Sequence, residues 1–432
     1  MLEQLFKLRE HNTTVRTEVL AGITTFLTMA YIIFVNPEML STTGMDRDAV
    51  FVATCLAAAL GSILMAFLSN WPVAMAPGMG LNAFFAFTVV GAMGYTWQQA
   101  LGAVFISGII FILLTATGIR RWLIEGIPQS LRSAIVAGLG LFLALIALSG
   151  AGVVVANPAT KVGMGDLHSP TVLLSIVGFF IIAILDAFKV RGAILIGILF
   201  VTVAAMALGL QDLNGVFSLP PSVLPTFLQL DVVGALHLGF VHVILALVLV
   251  EVFDATGTLI GVARRAGLDT DSPRSRLGRA LFADSTAIVG GSLLGTSSTT
   301  AYLESATGVQ AGGRTGLTAL TVGILFLAAL FIAPLAGSVP AYATAPAILY
   351  VAVLMMRELI EVKWDDITEA VPAALTAIFM PFTYSIATGL AFGFISHVVL
   401  KAFTGRAREV HLAMWIVAAL FVIRYIFFPD GH

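Results

Sequence analysis

The chain has 432 residues, of which 59% are hydrophobic and only 11% charged, and its mean hydropathy is +1.01. A soluble chain carries about 25% charge, so this composition excludes a water-soluble globule and indicates an all-α polytopic membrane protein. The net charge of −2 excludes nucleic acid as a partner, because nothing here could neutralise a row of phosphates. The single cysteine, Cys55, lies in an apolar run and excludes a disulfide framework and a Cys-based zinc site.

The first 18 residues are polar and mixed in charge, and no small-residue cleavage site follows the first apolar run. That run is read as a retained span and not as a signal peptide. With about 20 apolar residues per crossing, spans are expected near 19–36, 49–69, 72–93, 98–118, 132–150, 170–187 and 192–209. After a loop they continue near 236–262, 279–295, 297–313, 315–335, 341–357, 367–383 and 385–403. With the N-terminus cytoplasmic, nineteen of the 22 Lys and Arg residues fall in loops on the inner side. Only Arg47 and Lys161 fall outside, and Arg424 lies in a last apolar segment near 411–428. A fifteenth crossing would place the C-terminus outside, so this segment is expected to be interfacial or partly inserted.

Fourteen spans divide into two sevens, and an odd number per repeat makes the second half run inverted. Span three contains Pro77, Gly78, Gly80 and Asn82, and span ten runs from Gly295 through Ser297, Ser298, Thr299 and Thr300 to Gly308, Gly312 and Gly313. Neither reads as an unbroken helix, and their hydroxyl and amide groups can bond the freed backbone. Interruptions at matching places in two halves point to a midplane substrate site. Close helix packing is the alternative use of such small residues. Phe84, Phe85 and Phe87 follow the first break, where one of them could stack on a flat ligand.

Three acidic residues sit at membrane depth. Glu251 and Asp254 share one face of span eight by their i, i+3 spacing, and Glu304 lies in broken span ten. Nearly every Lys and Arg is assigned to a loop, so no cation is expected near them. An unpaired carboxylate in hydrocarbon is costly, so these groups must face a cavity, hold a proton or meet a ligand. Their alternative is helix–helix glue satisfied by Ser, Thr or backbone. Asp284 and Asp186, close to Arg279 and Lys189, are read as boundary residues.

Several stretches resemble the bacterial purine-base permeases of the azaguanine-like branch of the nucleobase:cation symporter-2 family. They are Phe6 to His11, Arg16 to Glu18, Thr24 to Met29, Phe34 to Pro37, Pro77 to Phe85, Phe253 to Leu259, Glu304 to Gly308 and Gly312 to Thr318. The resemblance implies fourteen spans in two inverted repeats and short extended segments in spans three and ten. It also implies a core domain (1–118 and 231–335), a gate domain (119–230 and 336–432), and a homodimer formed largely through the gate. Glu251, Glu304 and Asn82 would bind the base, with Tyr302, Ala83 and Phe84 beside them. Proton coupling would fall to Asp254, Glu251 and Glu304. One departure is evident: the uracil-transporting relatives carry a histidine one turn after the span-eight carboxylate, where this chain has Ala255. Asp254 is therefore assigned the proton.

The sequence thus reads as a multi-pass inner-membrane symporter for purine bases, driven by the proton gradient in preference to sodium, with no other cofactor or metal. An anion exchanger on the same fold is the alternative. Three site carboxylates oppose it, and no basic residue is expected near them. A membrane enzyme is disfavoured, because no nucleophile motif or paired metal spacing lies within the spans.

Overall fold

The computed structural model describes residues 2–236, 241–268 and 275–427. Span one is a helix in two pieces, Val15–Met29 and Ile32–Ser41. Spans two, four, five, six and seven are Arg47–Leu68, Trp97–Ala116, Gln129–Gly150, Pro170–Ala187 and Ala193–Ala207. In the second half, Val241–Arg265 and Leu277–Leu294 form spans eight and nine. Gly316–Ala329, extended by Ala333–Gly337, forms span eleven. Spans twelve to fourteen are Ala341–Met356, Ile367–Phe382 and Ile386–Phe403. Among the described residues, nine helices have the length and apolarity to cross a bilayer by themselves. The rest are shorter or broken.

Local chemistry sets many of these boundaries. Thr14, Asp46 and Thr96 each accept a backbone N–H at the start of their helices, and Gln99 completes a capping box with Thr96. Pro170 opens span six, where its missing N–H costs nothing. Close packing uses small residues. A Cβ on Gly197 of span seven would run into Ile182 of span six, so both helices approach to near backbone contact.

Spans three and ten are the exceptions. Span three enters as the extended segment Met75–Pro77 and continues as Met79–Ala83. It then widens into a π-helical stretch, Phe84–Ala92. Span ten enters as Thr299–Ala301 and continues as the short helix Ser305–Gln310. The two extended segments pair antiparallel, Met75 opposite Ala301 and Pro77 opposite Thr299. That direction is what inverted repeats require.

Spans one, two, four, nine and eleven pack together, with the span-ten helix on span one and span eight on span four. Spans five, six, seven, twelve, thirteen and fourteen form a second group. The groups meet where the span-three helix touches span five and span eight touches spans five and fourteen. Span three therefore lies at the border between them, while the span-ten helix packs on spans one and eight.

Three features differ from the sequence reading or were absent from it. The last apolar segment is a helix, Leu412–Phe427, packed on span fourteen and on a short helix, Ile119–Gly126, that follows span four. The loop after span five carries a two-stranded hairpin, Val154–Asn157 with Lys161–Met164. Arg120, assigned to a loop, is 1% exposed.

Candidate functional site

The backbone of the two breaks forms a frame. Beyond the strand pair, Gly78 N–H donates to the Ser298 carbonyl at 2.9 Å and Tyr302 N–H to the Ala74 carbonyl at 3.0 Å. β-Branched Thr299 and Thr300 favour the extended form. Gly78 is needed opposite them, because a Cβ there would come within 2.7 Å of the Thr300 methyl group. Outer edges are closed by side chains: Ser62 Oγ accepts from Met75 N–H and Ser305 Oγ from Ala74 N–H, each at 3.0 Å. With no water in the bilayer core, such accounting is obligatory for a broken span.

Polar side chains converge on this frame from five spans. Glu251 is fully buried, and its Oε1 accepts from Ser298 at 2.6 Å and Ser107 at 3.3 Å. Its Oε2 is buried with no partner among the described residues. Asn82 is fully buried as well. Ser297 Oγ donates to its Oδ1, while its Nδ2 has no partner among the described residues. Glu304 is half-buried, and its Oε1 accepts from the Tyr31 hydroxyl at 2.7 Å. Tyr302 donates to the Pro77 carbonyl at 2.6 Å, tying span ten across to span three. The hydroxyls of Thr299 and Thr300 are buried and unpartnered.

The residues proposed from sequence fall into three sets. Asn82, Glu251 and Tyr302 are joined through the paired segments and the serines before them. Ala83 and Phe84 are buried just beyond Asn82, at the start of the wide-turned stretch. Glu304 stands at the N-cap of the short helix after the span-ten strand and is held by span one. Asp254 is half-buried and has no hydrogen-bond partner among the described residues. It therefore differs from Glu251, three residues earlier, which two serines hold.

One expectation is overturned. The carboxylates are not without a cation at depth, because Arg120 turns inward from the short helix after span four. Its guanidinium donates to Asp284 at 3.3 Å, to Thr256 at 3.2 Å and to the Leu281 carbonyl at 3.4 Å. It also lies 4.0 Å from the centre of the Phe111 ring. Asp284, read as a boundary residue, is fully buried in this pair. The error has a physical cause: Gly118 breaks span four with φ +76°, and the next helix packs on span eight, from where Arg120 reaches span nine. A charge tally along the sequence cannot register that reversal. Tyr31 was also missed. Its signal was a phenol within the apolar run Ala30-Tyr31-Ile32-Ile33, where a hydroxyl needs a partner.

An unmet donor on Asn82 and an unmet acceptor on Glu251, both buried at a midplane break, can bind a small uncharged polar molecule. Among the described residues no cluster of His, Cys, Asp and Glu could hold a metal ion. This fold and site define a multi-pass membrane transporter, built as two inverted seven-span repeats.

The match to known proteins is specific. Residues 16–392 match the Permease family of xanthine/uracil type, and the chain belongs to that nucleobase:cation symporter family. It is a permease and not an enzyme. It is 53% identical to an adenine permease of Escherichia coli K12, over 100% of this chain and 97% of that protein. It is 45% identical to a guanine/hypoxanthine permease of Bacillus subtilis, over 99% of this chain and 100% of that one. Among solved structures, the transmembrane domain of the cyanobacterial bicarbonate transporter BicA superposes with a TM-score of 0.67 at 17% identity. That alignment covers 86% of this chain and 97% of that one. The murine anion transporter Slc26a9, in its inward-facing state, gives a TM-score of 0.66 at 12% identity, over 90% and 68% of the two chains. At such identities the likeness shows the fold alone.

Proposed function

We propose that this permease imports purine nucleobases, adenine first among them, in symport with protons. The observation that carries the reading is the pair of unmatched buried atoms, Asn82 Nδ2 and Glu251 Oε2. One donates and the other accepts, which suits the edge of a purine, where donors and acceptors alternate. A site of this kind discriminates strongly, because a wrong base leaves a buried partner unpaired. Phe84 and Ala83 would flank the ring and Tyr302 would hold the frame. The family and its adenine and guanine/hypoxanthine relatives support the same substrate class.

Transport would follow from motion of the core (1–118 and 231–335) against the gate (119–230 and 336–432), with the base held at the border between them. The inner membrane, a cytoplasmic N-terminus and a homodimer through the gate complete the proposal. Coupling is assigned to Asp254, the site carboxylate with no hydrogen-bond partner among the described residues, with Glu251 and Glu304 serving the base. Anion exchange, the alternative, rests on fold likeness alone.

Uptake of labelled adenine, guanine and hypoxanthine by transport-deficient cells tests this. Saturable uptake that a protonophore abolishes and sodium removal leaves unchanged is expected. Bicarbonate or sulfate uptake without base uptake would contradict it. Asp254→Asn should still bind base yet lose accumulation, because an amide mimics a permanently protonated acid. If that variant concentrates base down a proton gradient, coupling rests on Glu251 or Glu304 instead.

A further inference from the structure

One face of span one is joined to span ten and to the start of span eleven. Glu18 accepts from the backbone N–H groups of Arg314 and Thr315 at 2.9 and 3.2 Å, and from the Thr318 hydroxyl at 2.6 Å. One turn on, Ala21 and Thr25 lie against Gly308, where a Cβ would stand 2.8 Å from the Ala21 carbonyl oxygen. Thr28 and Thr307 share a hydroxyl hydrogen bond of 3.1 Å. The series ends at Tyr31 on Glu304. Positions 18, 21, 25, 28 and 31 recur every three or four residues, so they fall on one helical face.

Tyr31 also stands where span one is broken. Tight i to i+3 hydrogen bonds follow, Ile33 N–H to the Ala30 carbonyl at 3.1 Å and Phe34 N–H to the Tyr31 carbonyl at 3.0 Å. Pro37 lies in the next turn and cannot donate to the Ile33 carbonyl. The phenol is 1% exposed, and two of the lower anchors hold span one against the span-ten helix while Glu18 holds it to the start of span eleven. Glu304, by contrast, precedes a six-residue helix and accepts no other side-chain hydrogen bond among the described residues.

We infer that Tyr31 is a positioning residue for substrate recognition, tying one oxygen of Glu304 so that the other is presented to the base. The inference rests on the purine-transport reading. A glutamate side chain free to turn would have to be ordered by the substrate itself, at a cost in affinity that prior anchoring removes. Its effect should therefore appear in affinity and leave the transport step alone.

Tyr31→Phe keeps the ring and removes the hydroxyl. KM for the carried base should rise about tenfold, as for a lost hydrogen bond to a charged group, with Vmax within about twofold at equal surface expression. Thr28→Val cuts the ladder one turn earlier and spares the phenol, so its KM should stay near wild type. Should Tyr31→Phe fail to accumulate, Tyr31→Gln, which still donates, should show a lower KM than Tyr31→Leu. An unchanged KM in Tyr31→Phe, equal rises in Tyr31→Phe and Thr28→Val, or equal values for the Gln and Leu variants would overturn the inference alone. Absence of saturable uptake of any purine base by wild type would overturn the transport reading together with it.

Discussion

The broken-span crossing and the proposed gate, where span thirteen begins and span fourteen ends, are both rich in polar groups, yet they treat them in opposite ways. At the gate, Lys401 is 4% exposed and lies 3.1 Å from Glu369, 2.9 Å from Glu409 and 3.9 Å from Asp366. Arg406 adds contacts of 2.8 Å to Asp366 and to Glu409. Charges of both signs are matched, and the cluster fastens spans thirteen and fourteen. At the crossing, an amide nitrogen, a carboxylate oxygen and two threonine hydroxyls are buried with nothing to bond. Such groups cost free energy when left unmet, which supports the proposal that a ligand completes the set. Arg120 with Asp284 also pairs opposite charges, although Asp284 keeps its second oxygen buried without a partner among the described residues.

This contrast separates stability from transport. The largest effect is expected at Arg120. Removing one partner of a buried pair costs about 3–5 kcal/mol, whereas replacing both by apolar residues of similar volume is close to neutral. Arg120→Met and Asp284→Leu should each lower the melting temperature of the purified protein sharply, and the double variant should recover most of it. Singles as stable as wild type would remove Arg120 from the matched set. Next, Glu304→Gln should reduce base uptake by more than about tenfold, as for loss of a charged hydrogen-bond partner, with little change in melting. Near-normal uptake at normal expression would remove Glu304 as a ligand.

The smallest effect is expected at the gate surface. Thr368 and then Arg406 hold the Asp366 carboxyl well below the usual carboxylate range. Arg406 and then Lys401 hold Glu409 at about 2. A carboxyl lowered in the folded state adds stability that is complete above its unfolded value, near pH 4.5 for Glu409, and is lost as pH falls toward 2. Arg406→Ala should therefore leave uptake within about twofold at neutral pH, because exposed pairs contribute little. It should also weaken the dependence of melting on pH between those values. An unaltered acid limb would show that this pair carries no linkage.

Much of this was legible in the sequence, and the gaps are instructive. Span six was expected at 170–187 and is Pro170–Ala187, because its start is set by a proline and its body is uniformly apolar. Both breaks were legible because Pro, Gly and clustered hydroxyls interrupt an apolar run. Arg120 and Tyr31 were not, for one shared reason. Each acts at a change of chain direction, where linear neighbours say nothing of what the side chain meets. The break at Ala30 and Tyr31 contains neither Gly nor Pro, and its tight turn comes from tertiary contacts with span ten. Asn82 and Glu251 were named as site residues, but which of their atoms stay unmet follows only from the serines that span ten places against them.

The central claim is that the unmet atoms of the crossing are the purine site, and direct binding of labelled adenine to the purified permease tests it most directly. Wild type should bind saturably. Glu251→Gln turns the free acceptor into an amide donor and should weaken binding by at least about tenfold, the scale of one buried hydrogen bond to a charged group. Arg406→Ala should bind as wild type does. Equal affinity in Glu251→Gln and wild type would contradict the account.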